Sequence, residues 1–394
     1  MRNITTFSLP VCSAALVPAA LILAALTQSC RHDEMVIPSE SESVGSGQKS
    51  LSLAGMYILN EGNMGSNKCT LDFYDFNNAI YTRNLYAERN PGVVMELGDV
   101  GNDIAVYGSR LYIVVNCSNK VEVLNAYSGI RIGQIDIPTC RYLAFEGRNA
   151  YVSSYVGPVQ IDPSAPLGEV YRVDTLSLAV TGRATVGYQP EEMAVSDGFL
   201  YVANSGGYRP PEYDNRVSAI RLSDFTVTGH TAVAANLHRL RRDSHGRIWV
   251  TSRGNYSDTP SRIHLLEKDP DATAPGLLRL SATFDTPCTN LAIHGDMLYF
   301  FASPDHPGLD SPRYGIIDLT DCSITDRSWI TDGTEADISV PYGLAVNPEN
   351  GDIYITDAKN YVSSGTLHCY SSYGVRRWSV RTGDIPSAIT FLPK

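Results

Sequence analysis

A two-strand phrase recurs seven times in this chain, and that repetition admits few folds. At 192–204 an apolar strand, a tight Asp197-Gly198 turn and the run Leu200-Tyr201-Val202-Ala203-Asn204 follow one another. The aromatic marker of the second strand falls at Tyr57, Tyr112, Tyr151, Tyr201, Trp249, Tyr299 and Tyr354, with gaps of 55, 39, 50, 48, 50 and 55 residues. That is the period of a four-stranded propeller blade with loops of varying length. Turns before the markers are rich in Gly, Asn and Asp, as in Gly147-Arg148-Asn149 and Asn350-Gly351-Asp352. These residues tolerate the positive φ of tight hairpins. Two more short strands follow each marker, for example 120–125 and 130–137 after Tyr112. No stretch has the period of a long amphipathic helix. The chain is therefore expected to be all-β, a seven-bladed β-propeller of four-stranded antiparallel blades.

The two ends complete one another. The run Ile385-Pro386-Ser387-Ala388-Ile389-Thr390-Phe391-Leu392 matches the first strand of the phrase, as in Val340-Pro341-Tyr342-Gly343-Leu344. Gly55-Met56-Tyr57-Ile58-Leu59-Asn60 matches the second. Their pairing would close the ring and remove open sheet edges. Further upstream, Arg2 precedes a 16-residue apolar stretch at 11–26, broken by Pro18. A spanning helix needs ~20 residues. Small and polar residues then lead to Cys30. The pattern resembles a bacterial lipoprotein signal, which implies a signal peptide over 1–29 and lipidation of Cys30. It implies an outer-membrane location, held by the lipid alone and displayed at the cell surface. Residues 31–50 are poor in large apolar side chains, so 30–54 reads as a flexible tether and 55–394 as the propeller.

After removal of 1–29 the formal charge is −12, from 30 Lys and Arg against 42 Asp and Glu. A chain that wraps nucleic acid needs a basic stripe, and this one has none. Six cysteines remain beyond Cys30: Cys69, Cys117, Cys140, Cys288, Cys322 and Cys369. None forms C-x-x-C or pairs with a spaced His, which speaks against a zinc or redox centre. Buried free thiols are the favoured state. Cys69 and Cys117, near one face of neighbouring blades, are the best-placed bridge.

In a four-stranded meander the loop after the second strand and the loop into the next blade share one face. The loops after the markers (60–69, 153–168, 204–215, 252–261, 303–313 and 357–366) are long and rich in Gly, Pro, Asn and aromatics. Function concentrates where a rigid scaffold carries elaborate loops. The expected ligand contacts on that rim are Tyr155, Tyr188, Tyr208, Arg209, Arg239, Arg253, Tyr256, Tyr342, Asn204 and Asp357, with Arg141, Tyr213 and Tyr361 beside them. Tyrosine offers apolar area plus a hydroxyl, and arginine a planar fork for phosphate or amide groups. The bland use of each is to cover a strand end.

The second strands end in Asn60-Glu61, Asn116, Ser154, Asn204, Ser252 and Asp357. Converging on the axis, such oxygens would suit Ca²⁺, an arrangement similar to calcium-dependent lactonases of the gluconolactonase type. Capping of backbone groups is the competing use. H-E-x-x-H, G-x-S-x-G and a phosphate-cradling glycine loop are all missing. Asp103 lies in a different repeat from Glu191 and Glu192, with Glu191-Glu192 expected to begin a strand near solvent. No catalytic residue, resident metal or cofactor is nominated.

Several stretches carry a family resemblance: Tyr57-Ile58-Leu59-Asn60-Glu61-Gly62-Asn63, Gly98-Asp99-Val100-Gly101-Asn102-Asp103, Gly187-Tyr188-Gln189-Pro190-Glu191-Glu192, Tyr201-Val202-Ala203-Asn204-Ser205-Gly206-Gly207-Tyr208 and Ile353-Tyr354-Ile355-Thr356-Asp357-Ala358. Across 55–394 the chain resembles the YncE-like, YVTN-type β-propeller surface lipoproteins of Bacteroidetes, and among them the BtuG-type proteins. That resemblance implies a non-enzymatic binder of cobalamin or a related corrinoid, which passes its ligand to a TonB-dependent outer-membrane transporter. It supplies no binding residues. The alternatives are a glycan-binding or partner-docking surface propeller and, further off, a calcium-dependent lactonase-like hydrolase.

Overall fold

Each phrase folds as its period requires, into a strand, a tight turn, the marker strand and two more strands stepping outward. The computed structural model describes residues 38–45, 50–93, 97–307, 309–325 and 327–394. The signal segment and Cys30 lie outside the described residues. Six sheets of four strands occupy residues 101–136, 140–185, 190–232, 237–284, 290–325 and 341–384, here blades 1 to 6. In each, the strands lie side by side in chain order and pair antiparallel. The first strands touch one another in sequence around a closed circuit and so line the axis.

Blade 7 is assembled from both ends of the chain. Its inner strand is Pro386–Pro393, which pairs antiparallel with Leu53–Asn60 from Leu53 opposite Pro393 to Asn60 opposite Pro386. Thr70–Asp75 and Ile80–Arg83 continue it outward. The ring is thus closed by the expected pairing. A fifth strand was not expected: Glu40–Ser43, within the stretch read as tether, pairs with Ile80–Arg83 on the outer edge. Its side chains are exposed, so it adds ladder hydrogen bonds rather than core. Glu349 of blade 6 ties down the next part of that stretch, accepting hydrogen bonds from Ser50, Leu51 and Ser52.

The markers owe their period to the seams. Every seam between adjacent blades is filled by one apolar cluster, and each of the seven clusters contains one marker. Tyr57 of blade 7 packs on Leu111 and Leu124 of blade 1, and its hydroxyl donates to the Ala126 carbonyl at 2.7 Å. Trp249 is fully enclosed between blades 4 and 5, its Nε1 on Asp243 at 2.9 Å. A buried aromatic with a satisfied polar tip suits a position that is apolar in the seam and polar at its edge.

Cys117, Cys140, Cys288, Cys322 and Cys369 are free thiols, so the Cys69–Cys117 bridge does not form. Among the described residues no helix is long and apolar enough to cross a membrane.

Candidate functional site

The site begins with an irregularity in the inner strands. In six of the seven blades the pairing between first and second strand slips near its start, with an extra residue on the inner strand. Such bulges re-aim side chains and are over-represented next to functional sites. The residues carried by them are Asn102-Asp103, Arg141-Tyr142, Glu191-Glu192, His238-Arg239, Tyr342-Gly343 and Ser387. Five of these strands are entered through a residue with left-handed backbone: Val100, Thr139, Gln189, Asn236 and Ile385. Three of the five are β-branched, for which positive φ is costly, by about 1–3 kcal/mol each. Gly343 lets the strands of blades 6 and 7 approach, since an added Cβ would lie 2.7 Å from the Ser387 carbonyl.

These side chains meet in one charged network. Glu191 is buried, and its carboxylate accepts from Arg141 (3.1 and 3.3 Å), Arg253 (3.1 Å), Tyr155 (2.7 Å) and Ser205 (3.3 Å). Glu192, also buried, accepts from Arg239 (2.7 Å), the Leu240 amide (2.9 Å) and Arg241. The expectation that this pair begins a strand near solvent is therefore overturned. Both start an inner strand, yet the bulge turns them into guanidiniums supplied by blades 2 and 4. Burial pushes each carboxyl up, but the arginines outweigh it: Arg141 and Arg253 hold Glu191 below the ordinary glutamate range, and Arg241 and Arg239 do so for Glu192.

The remaining members are set by burial. His238 bonds the Tyr142 hydroxyl through Nε2 at 3.0 Å. Burial, then the charges of Arg253, Arg239, Arg141 and Arg241, keep it neutral well below its usual range. The Tyr142 ring has the guanidinium carbons of Arg141 and Arg239 at 5.6 and 5.5 Å, and Arg141 also lies 4.9 Å from the Tyr155 ring. Each such contact contributes about 0.5–2 kcal/mol, more where water is excluded. Across the axis the Tyr342 hydroxyl donates to Glu61 at 3.1 Å. Burial pushes Glu61 up to about 7, against that hydrogen bond and the charges of Arg141 and Arg239. Burial and the neighbouring Glu192 raise Asp103 to about 7 as well. Four arginines thus face two firmly ionised glutamates, a local positive balance in a chain of net charge −11.

Of the residues expected from sequence, the fold brings Arg141, Tyr155, Arg239, Arg253 and Tyr342 into this network. Tyr208 borders it, its ring edge-on to Tyr155 at 6.1 Å. Tyr188 and Arg209 form a separate clamp: the guanidinium stacks 3.6 Å from the ring centre and donates to the Pro163 carbonyl of the neighbouring loop. Tyr256 is exposed on the rim. Asn204 and Asp357 are enclosed and bonded to backbone. Asn204 receives the Gly187 amide and donates to the Arg216 carbonyl, while Asp357 accepts the amides of Ser339, Val340 and Lys359. The same holds for Asn116 on the Cys140 carbonyl and Ser154 on the Pro138 carbonyl. These four second-strand ends therefore cap backbone, Ser252 bonds the His264 imidazole, and Glu61 alone of the set joins the axial network, so they form no cation cage. Among the described residues no group of three or more His, Cys, Asp or Glu side chains could hold a metal ion.

Sequence reasoning missed Tyr142, Glu191, Glu192, His238 and Arg241 as members of the network. A usable signal was present: aligned on the markers, the inner strands carry charged or polar pairs where an uninterrupted strand would alternate. The rim holds a further feature. Met64, Ile161, Tyr256 and Val362 are 60, 72, 50 and 71% exposed, each on a different loop following a marker strand. Between blades 4 and 5 the rim also has a groove of about 370 Å³ bordered by Arg253, Thr259, Ser261, Asp285 and His306.

Solved structures share the fold. A hypothetical selenium-binding protein from Sulfolobus tokodaii superposes with a TM-score of 0.64 at 11% identity, covering 87% of this chain and 94% of its own. The periplasmic gluconolactonase of Pseudomonas aeruginosa gives 0.59 at 13%, covering 86% and 99%. A quinoprotein alcohol dehydrogenase-like protein from Bacteroides thetaiotaomicron gives 0.58 at 14%, covering 86% and 78%. At such identities the likeness is one of architecture. No curated protein matches the sequence. The family model described as a domain of unknown function, DUF5074, matches residues 54–391, and the chain belongs to that family.

Proposed function

We propose that this chain is a non-catalytic receptor whose axial cluster takes a large amphipathic, anion-bearing ligand, with a cobalamin-like corrinoid as the specific candidate. The observation that carries the reading is the gathering of four guanidiniums about Glu191, Glu192 and the Tyr142 ring on the loop-rich face. A corrinoid is broad and flat, with amide arms and a phosphate. The Tyr faces and Arg forks of the cluster offer stacking and charge-assisted hydrogen bonds to such a body. Glu191 and Glu192 are locked to arginines and His238 is neutral, an arrangement suited to holding charge rather than moving protons. A rigid, preorganised face limits the ordering cost of binding.

In this reading the receptor is tethered by a lipid on Cys30 at the outer-membrane surface. It passes its ligand to a TonB-dependent transporter docked over the rim, where Met64, Ile161, Tyr256 and Val362 supply the apolar contacts. Calorimetry with cyanocobalamin tests it: saturable heat and a raised melting temperature are expected. Silence in both at saturating ligand overturns the corrinoid assignment. The hydroxyl- and carboxylate-bordered groove between blades 4 and 5 favours a second reading, capture of a glycan. A glycan-array hit together with corrinoid silence would select it.

A further inference from the structure

We propose that the axial cluster contains a dedicated oxyanion seat, formed by Arg239, Arg253 and Arg141, which receives a carboxylate or phosphate of the captured ligand. The inference rests on the receptor reading and names the part of the ligand that enters deepest. Its basis is unused hydrogen-bonding capacity. Among the described residues Arg239 gives only Nη1 to a protein acceptor, and its Nε is buried with no partner. Arg253 likewise engages Nη1 alone, with Glu191 at 3.1 Å and Asn236 Oδ1 at 3.4 Å. The Nδ2 of Asn236, a fully buried side chain, also has no partner. A buried donor without an acceptor is costly, and a buried guanidinium more so. Here one such donor is on Arg239 and the other on Asn236, whose Oδ1 accepts from Arg253, so both belong to the arginine cluster where positive charge is already in excess. An oxyanion supplies what they lack: acceptor lone pairs in a planar fork geometry and the missing negative charge.

The seat has a built-in proton linkage. Glu61 faces the Tyr342 hydroxyl from blade 6, Arg141 from blade 2, Arg239 from blade 4 and Ser387 from blade 7, with Cys117 and Tyr361 within its field. An anion among the arginines offsets the field that favours ionised Glu61, so binding takes up a proton there. Asp103, beside Glu192 and Arg241, is the second group able to respond.

Sulfate and benzoate, titrated calorimetrically into the mature chain at low ionic strength, test the seat. Sulfate keeps its charge from pH 6 to 8, so any pH dependence belongs to the protein. Single-site saturable heat at pH 6 is expected, weakened about tenfold or more in Arg239→Gln. Arg239→Lys keeps a cation beside Glu192 and so protects the fold, yet loses the fork and should bind nearly as weakly. Wild-type affinity should fall as pH rises through 7, by at most about tenfold per unit. In Glu61→Gln that slope should flatten. Absence of saturable heat with both probes overturns the proposal, as does unchanged affinity in folded Arg239 variants. A pH-independent wild type overturns the linkage. Sulfate binding with cyanocobalamin silence would remove the corrinoid and leave the seat. Cyanocobalamin binding indifferent to sulfate and to both Arg239 variants would leave the receptor and remove the seat.

Discussion

The seams between blades and the mouth of the axis are built from the same seven repeats under opposite rules. At the seams one position is aromatic in every repeat, because each blade meets the next in the same way. At the axis the equivalent bulge positions hold Asn102-Asp103, Arg141-Tyr142, Glu191-Glu192, His238-Arg239 and Tyr342-Gly343, and at neither position of the pair does a residue type recur from blade to blade. A seam is satisfied by two neighbours. The axial charges are satisfied only across blades, Glu191 of blade 3 by arginines of blades 2 and 4. The difference teaches that packing constrains what recurs, while the positions released from packing are where a single ligand can be addressed.

The comparison breaks first at blade 7, where seam and axis depend on one strand. Removing 385–394 takes away the inner strand paired with Leu53–Asn60 and the Ser387 position of the axis. It also leaves the Leu53–Asn60 edge unpaired and opens part of two seam clusters, through Leu392 and Phe391. Loss of the cooperative melting transition is expected by circular dichroism. A shortened chain that melts like the full one would show that closure is dispensable.

A paired substitution sharpens the contrast. Trp249→Ala should cost about 3–5 kcal/mol in urea unfolding, because the enclosed ring leaves a cavity in its seam. Glu191→Gln should cost about 3 kcal/mol for another reason, since Arg141 and Arg253 lose their common counter-charge. Sulfate stabilises proteins generally by exclusion from their surface, so Trp249→Ala serves as the reference. Glu191→Gln should gain distinctly more from sulfate, which can restore the negative charge lost beside the guanidiniums. Equal gains in both variants would mean that the axis behaves as ordinary core.

These rules also explain what was legible beforehand. Tyr57 to Tyr354 announce the blades because burial in a seam demands the same large side chain each time. The closing strand could be read from Pro386 onward because half a phrase at either end has no other partner. Glu40–Ser43 could not, since an exposed edge strand needs no apolar pattern. The rim residues were half legible. Arg239, Arg253 and Tyr342 stood out as charged or aromatic residues beside strand ends, yet Asn204 and Asp357 stood out for the same reason and serve the backbone. Glu191-Glu192 misled because a bulge moves a side chain to the other face without changing the sequence around it.

The smallest expected effect separates two kinds of carboxylate within the axis itself. Glu191 and Glu192 have folded values below the ordinary range. Their contribution is present above the unfolded glutamate value and is lost as pH falls through the folded one. Asp103 and Glu61 are raised to about 7, so the sign reverses. Below their unfolded values both states are protonated and nothing is at stake. As pH rises towards 7 the folded chain keeps protons that the unfolded chain has released, and stability falls until both forms are ionised. Asp103→Asn removes that penalty while still accepting the Leu143 amide, now bonded to Asp103 at 2.9 Å. Relative to wild type it should gain on the order of 1 kcal/mol at pH 8, after allowance for solvent screening, and close to nothing at pH 4. Denaturant unfolding at the two pH values reads the difference directly. A gain of equal size at both would mean that Asp103 is not held away from its charged form, and would erase the distinction between carboxylates that answer an arginine and carboxylates that merely share its enclosure.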